Sequence, residues 1–315
     1  MNGRIRRSHA LLLGVTIVMS SGCRPDQGGD FDWTGGQAPR PGSEADWALI
    51  TQEQARRLDS LSSFSSDGSI IIDRRDDQGN PITDRLNHRL WRVAPDKAAL
   101  RLSIGGITGG RLGWNGPRWW MLDEGPDRPE LMVVDLRDPE SIATWQDEEL
   151  MSPPGLMAMA GLMPFPKEPP SDFMIAGDRV RFTLDSISWT SEEGGLKALN
   201  PLGIVIGAPR NGPIRIEGLD GEGNPSTVVE LERFEPVETL GKPPGAWPDL
   251  PTRIVVAPRG EDVQRLVITF DGALAQGRIS DRLFSLDALI ERVDPVLLDG
   301  RAPSPGNLLE TKGDS

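Results

Sequence analysis

The 315-residue chain has no tyrosine, one cysteine and two histidines. With Cys23 alone, no intramolecular disulfide can form, and an exported chain with a single thiol needs another use for it. His9 lies among the first ten residues, which leaves His88 as the one imidazole downstream of Cys23. A single imidazole without a spare thiolate does not build a zinc site of the usual kind. A Ser-His-Asp triad would have to use His88, and no Gly-x-Ser-x-Gly turn accompanies it. A phosphate-cradling Gly-x-x-x-x-Gly-Lys-Ser/Thr loop is also missing, and Gly109-Gly110-Arg111-Leu112-Gly113 lacks the strand-to-helix setting that would give its glycines meaning. Carboxylates such as Asp73, Asp76, Asp77, Asp123, Glu124, Asp220 and Glu222 fall at expected turns, where Asp suits the local backbone. The loop Asp220-Gly221-Glu222-Gly223-Asn224 lacks the spacing and closing Glu of a calcium-binding EF-hand. The chain is therefore not expected to be an enzyme, and no metal or cofactor is implied.

What is present begins at the N-terminus. Arg4, Arg6 and Arg7 precede an apolar run from Leu11 to Met19, the layout of a secretory signal. The run is far short of the ~20 apolar residues a membrane-spanning helix needs. It ends in Ser20-Ser21-Gly22-Cys23, small residues before a cysteine that resemble the lipobox of bacterial lipoproteins, with Ser20 where Leu is most usual. The resemblance implies removal of residues 1–22 and acylation of Cys23, which accounts for the lone thiol. Acyl chains add ~0.8 kcal/mol per buried methylene, so such an anchor would be effectively permanent. Losing residues 1–22 removes three positive charges and no negative one, taking the formal net charge from −13 to −16. So acidic a body repels nucleic acid and anionic headgroups, and its membrane contact is expected to run through the acyl chains. Arg24 stands where Asp would act as an inner-membrane retention signal, which leans towards the outer membrane.

Residues 23–44 are polar with repeated Gly and Pro and read as a flexible tether; residues 299–315 read as a disordered tail. Between them, 45–298 reads as one domain. A helix is expected from Ala45 to Ser62, with Leu49, Ile50, Ala55, Leu58 and Leu61 as its apolar stripe. This helix is expected to cover a sheet and to carry no chemistry. From Phe64 the period changes to two, and short strands alternate with turn signals through Asp135 and again from Arg179 to Phe270. Arg282–Val293 closes the fold as a helix. The expectation is a mainly β, α+β fold: an antiparallel meander curled into an incomplete barrel. Leu150–Pro166 interrupts the meander with Met151, Met157, Met159 and Met163 between prolines, as a short apolar helix or a lid-like loop. The turns Asp76–Thr83 and Asp220–Thr227 share the spacing Asp-x-x-Gly-Asn-Pro-x-Thr, from one turn chemistry used twice or from a duplicated half.

Three stretches carry a family resemblance: Leu58-Asp59-Ser60-Leu61-Ser62-Ser63-Phe64, where a helix runs into a strand; Leu90-Trp91-Arg92-Val93-Ala94-Pro95-Asp96-Lys97, a strand ending in a Pro-x-Lys turn; and Gly113-Trp114-Asn115-Gly116 with Trp119. In these the chain resembles the LolA/LolB-like lipoprotein carriers of the bacterial envelope. The resemblance implies a curled sheet whose open side is closed by helices over a hydrophobic cavity. It makes Trp91, Trp114 and Trp119 candidates for the cavity wall, and Met157, Met159 and Met163 candidates for its mouth, since flexible thioethers adapt to irregular apolar ligands. Core packing is the competing reading of all six. Trp119 and Trp120 are adjacent on a strand, so at most one of them faces a cavity. A lipid, an acyl chain or a lipoprotein is the implied ligand, and the alternative is a scaffold lipoprotein with a filled interior. Nothing in the sequence sets an oligomeric state.

Overall fold

A computed structural model describes residues 31–76, 78–124, 128–135, 137–138, 153–185, 201–207, 212–258 and 263–298. The lipobox with Cys23, and Met151, lie outside these residues. After a two-residue strand β1 (Arg40–Pro41) comes α1 (Glu44–Ser60). The first meander follows: β2 (Ser63–Arg75), β3 (Pro81–Val93), β4 (Lys97–Ile104), β5 (Ile107–Asn115), β6 (Arg118–Asp123) and β7 (Glu130–Asp135). A short helix α2 (Pro153–Met159) leads into the second: β8 (Met174–Ala176), β9 (Arg179–Leu184), β10 (Leu202–Gly207), β11 (Gly212–Leu219) and β12 (Pro225–Pro236). It continues through β13 (Glu238–Thr239), β14 (Asp249–Pro258) and β15 (Val263–Ala275), before α3 (Leu286–Val293) and β16 (Val296–Leu298).

All sixteen described strands belong to one sheet, ordered β1-β8-β9-β10-β11-β12-β14-β15-β2-β3-β4-β5-β6-β7-β16, with β13 beside β15. The path is open: its ends are two- and three-residue strands, short edges of the kind that discourage sheet-to-sheet aggregation. The two meanders meet where β15 pairs with β2 in the middle. One face gathers a single apolar cluster from both meanders, including Phe64, Leu90, Trp114 and Met132 from the first and Phe182, Ile204, Val229 and Ile268 from the second. A sheet that brings strands so far apart in its order around one core is curled into an incomplete barrel, as expected. Its convex side is capped near β6 and β7 by α3, where Leu289 packs with Trp120, Leu122 and Leu131.

Local chemistry explains the helix that begins the domain. Ser43 accepts a hydrogen bond from the Asp46 amide, and the Asp46 carboxylate accepts from the Ser43 amide, so the two satisfy each other's free N–H groups in a capping box. The two Asp-x-x-Gly-Asn-Pro turns share their backbone bonds and the contacts of the Asp Oδ1 atom. The Oδ1 atoms of Asp76 and Asp220 each accept the amides two and four residues on, and Gly79 and Gly223 both sit at φ +81°. They close the β2–β3 and β11–β12 hairpins. From Phe31 onward, the stretch expected as tether is tied to the body. Arg179 donates to the Asp32 carbonyl, β1 pairs with β8, and the Gly42 amide donates to the Phe173 carbonyl.

Candidate functional site

The strand order forces a crossing. β7 ends near one edge of the sheet and β8 begins near the other, so the connection between them has to traverse the molecule. Its described part, α2 and the residues after it, crosses on the concave side. Met157, Ala158, Met159, Ala160, Leu162 and Met163 all belong to the inner cluster, each at most 3 % exposed. At the turn, Gly161 adopts φ +68° beside Leu231 of β12 and Pro213 of β11. From Pro153 onward, the Met-rich interruption is a helix followed by a loop, seated inside the curl.

Helix α1 holds this segment with polar side chains. The Gln54 Nε2 donates to the Gly161 carbonyl at 3.1 Å and to the Met163 carbonyl at 2.8 Å. The Arg57 Nη1 donates to the same Gly161 carbonyl at 2.7 Å, and its Nε to the Asp249 carbonyl at 3.0 Å. Further along, the Trp47 indole donates to the Pro166 carbonyl, and Trp47 meets Phe173 and Phe182 edge-on at 5.1 and 4.9 Å. Among the described residues, Gln54 and Arg57 make the side-chain hydrogen bonds to 157–163, whereas an aromatic cluster pins 165–173. The helix expected to carry no chemistry carries the clasp.

Register settles where each expected cavity tryptophan points. Arg92, Ala98, Trp114, Trp119 and Val134 lie opposite one another across β3 to β7, and this row faces inward. The neighbouring row, Trp91, Ala99, Gly113, Trp120 and Val133, faces outward. Trp91 is therefore a correction: it stands on the convex side, with the Arg89 guanidinium 5.3 Å from its ring centroid. Its place beside Trp114 in the sequence pattern hid the fact that one residue's shift along a strand changes the face. Trp119 and Trp120 do point to opposite faces, one into the inner cluster and one beneath α3. The structure brings Trp114, Trp119, Met157, Met159 and Met163 together on the concave side, all at most 2 % exposed.

The same interior holds polar groups that the apolar pattern of the sequence does not reveal. Arg57 and Arg92 are buried, and burial lowers both pKa values from 12.5 to about 10, which leaves them charged at neutral pH. The Arg92 Nη1 donates to the Leu61 carbonyl at 2.6 Å. His88 faces inward from β3 with its Nε2 2.8 Å from the Thr269 carbonyl, which makes Nε2 the protonated nitrogen. Desolvation holds its pKa below the ordinary histidine value. Among the described residues, the Gln54 Oε1, Arg57 Nη2, Arg92 Nε and His88 Nδ1 have no hydrogen-bond partner. A signal for Gln54 and Arg57 did exist. Trp47, Ile50, Gln54, Arg57 and Leu61 follow helical spacing, but a search for apolar residues alone discards the two polar members. Leu49, expected in the apolar stripe, is exposed instead.

No family model and no curated protein matches the chain. Solved structures of similar outline include a LolA superfamily protein from Nitrosomonas europaea, 13% identical, with a TM-score of 0.49, covering 76% of this chain and 98% of that one. A DUF1329 family protein from Desulfovibrio piger is 11% identical, with a TM-score of 0.48 over 77% of this chain and 98% of its own. A domain named for outer membrane lipoprotein sorting, from Vibrio parahaemolyticus, is 10% identical, with a TM-score of 0.44 over 78% and 99%. Likeness of this degree concerns outline, and the chemistry has to be read from this chain's own residues.

Proposed function

We propose that the chain is a non-catalytic, membrane-anchored envelope lipoprotein that binds an apolar ligand on the concave face of its open sheet. The ligand class is a lipid, an acyl chain or the lipid portion of a lipoprotein, and it takes the place of residues 157–163. The observation that carries this reading is the segment itself. Its inward side chains are mostly flexible methionine, small alanine and leucine, an adaptable apolar filling, and Gln54 and Arg57 clasp it through backbone carbonyls that any sequence would offer. Anchoring through acylated Cys23, on the outer membrane, belongs to the same proposal and rests on the N-terminal sequence. His88 supports a role without catalysis, because its ring is enclosed and held neutral by burial.

Uptake of a fluorescent fatty acid by the full-length chain tests the proposal, with mass spectrometry of lipids that co-purify. Saturable uptake with about one ligand per chain is the expected result. A second reading, a scaffold with a permanently filled interior, is favoured by the complete burial of Leu162 and Met163. It predicts no uptake and no co-purifying lipid. Incorporation of a labelled fatty acid in cells, lost in Cys23→Ser, tests the anchor separately.

A further inference from the structure

We propose that Arg57 and Arg92 together form an anion site at the inner end of α1, which takes the carboxylate or phosphate head of an amphiphile whose chain lies on the concave face. The inference rests on the reading of that face as a ligand site and names the class of ligand it selects.

Two periodicities converge on this point. Helical spacing turns Arg57 to the buried side of α1. Strand alternation turns Arg92 inward, in register with Phe64 on β2 and Ala98 on β4. The last turn of α1 ties them: the Leu61 amide donates to the Arg57 carbonyl, while the Leu61 carbonyl accepts from Arg92 Nη1. Each guanidinium is satisfied in part, and by carbonyl oxygens. Arg57 uses Nε and Nη1, Arg92 uses Nη1, and Arg57 Nη2 and Arg92 Nε stay unpartnered in the interior.

Charge decides what these carbonyls leave undone. A helix C-terminus offers about half a negative charge, which suits one arginine better than two. The Asp249 carboxylate stabilises the Arg57 cation, whereas Arg92 opposes it. Against two full positive charges, one carboxylate and a helix end leave a surplus of about half a charge in a region closed to water. An anion would remove that surplus and engage the orphaned N–H groups. Withdrawal of Gly161 would also free Arg57 Nη1, so an incoming head would meet three N–H donors from two planar forks, a geometry suited to carboxylate and phosphate.

Calorimetric titration of the full-length chain decides the matter with three single-chain probes below their micelle concentrations: oleate, oleoyl lysophosphatidic acid and neutral monoolein. At least one anionic probe should bind about tenfold or more tighter than monoolein, as charge-assisted hydrogen bonds imply, and the tighter of the two identifies the head as carboxylate or phosphate. The preference should survive high salt, because a buried pair is poorly screened. Arg57→Gln and Arg92→Gln should each reduce that preference to about twofold, and Arg57→Gln, which also loosens the clasp on Gly161, should at the same time tighten monoolein binding. Equal binding of all three probes by the unaltered chain would overturn the anion site and leave the apolar site standing. Binding of none would overturn both. Should either variant fail to fold, the comparison of probes on the unaltered chain at high salt still decides between these outcomes.

Discussion

At the scale of single residues, His88 makes the interior sensitive to protons. His88 sits among apolar neighbours with Phe270 edge-on at 5.6 Å, and burial lowers its pKa from the usual histidine value of 6.5. In the window between the folded and unfolded values, the unfolded chain binds more protons, so stability rises with pH. The contribution is therefore fully present above pH ~6.5 and is lost as the pH falls through that value towards the folded pKa. Thermal unfolding followed from pH 7.5 downward should show the loss, and His88→Gln should flatten it. A profile unchanged by the substitution would mean that carboxylates alone set the acid limb. Beside His88, a Cβ on Gly68 would fall 1.9 Å from the Thr269 carbonyl oxygen and 2.5 Å from the imidazole Nε2. Gly68→Ala must push two strands apart and should cost about 1–3 kcal/mol, seen as a lower denaturant midpoint at constant slope. Neither role was legible in the sequence, because both depend on Thr269 of β15, about 180 residues from His88 and about 200 from Gly68. The opposite facing of Trp119 and Trp120 was legible, because it follows from strand geometry alone.

At the scale of elements, the clasp between α1 and the crossing segment makes stability and binding move in opposite directions. Gln54→Leu removes two hydrogen bonds and leaves the buried Met163 carbonyl without this donor, at a cost of about 1–3 kcal/mol. If ligand and segment compete for one face, the same change should raise the affinity for an acyl chain. A melt that shifts down together with a titration that tightens is the expected pair of results. Lower stability with weaker uptake would show that the segment supports the site and does not occupy it. The sequence displayed strands and turns well, since alternation and Asp-x-x-Gly-Asn-Pro spacing are local signals; Ser43, which caps α1 with Asp46, falls in the stretch read as tether. It displayed the clasp poorly, because Gln54 and Arg57 interrupt the apolar stripe of α1 and are satisfied in the interior only through carbonyls more than 100 residues away.

At the scale of the whole molecule, the strand order is the feature from which the rest follows. Two meanders grow in opposite senses from the β15–β2 pair, so the link between their far edges has to pass over the sheet. Curvature offers that link a concave face, and an apolar link is buried there by the same area effect, ~25 cal/mol per Å², that a lipid chain would enjoy. The meander and its interruption could be read from the sequence, but not the order of pairing, since β15 and β2 find each other across almost 200 residues. For that reason the sequence alone does not choose between helix and lid for the Met-rich stretch. The central claim is that this link and an apolar ligand compete for one surface. Hydrogen exchange of residues 157–163, measured in the full-length chain with and without a saturating acyl ligand, tests it most directly. Faster exchange in that segment on binding, with the β9–β12 strands unchanged or slower, is the predicted result; unchanged or slower exchange in 157–163 with ligand bound would contradict it.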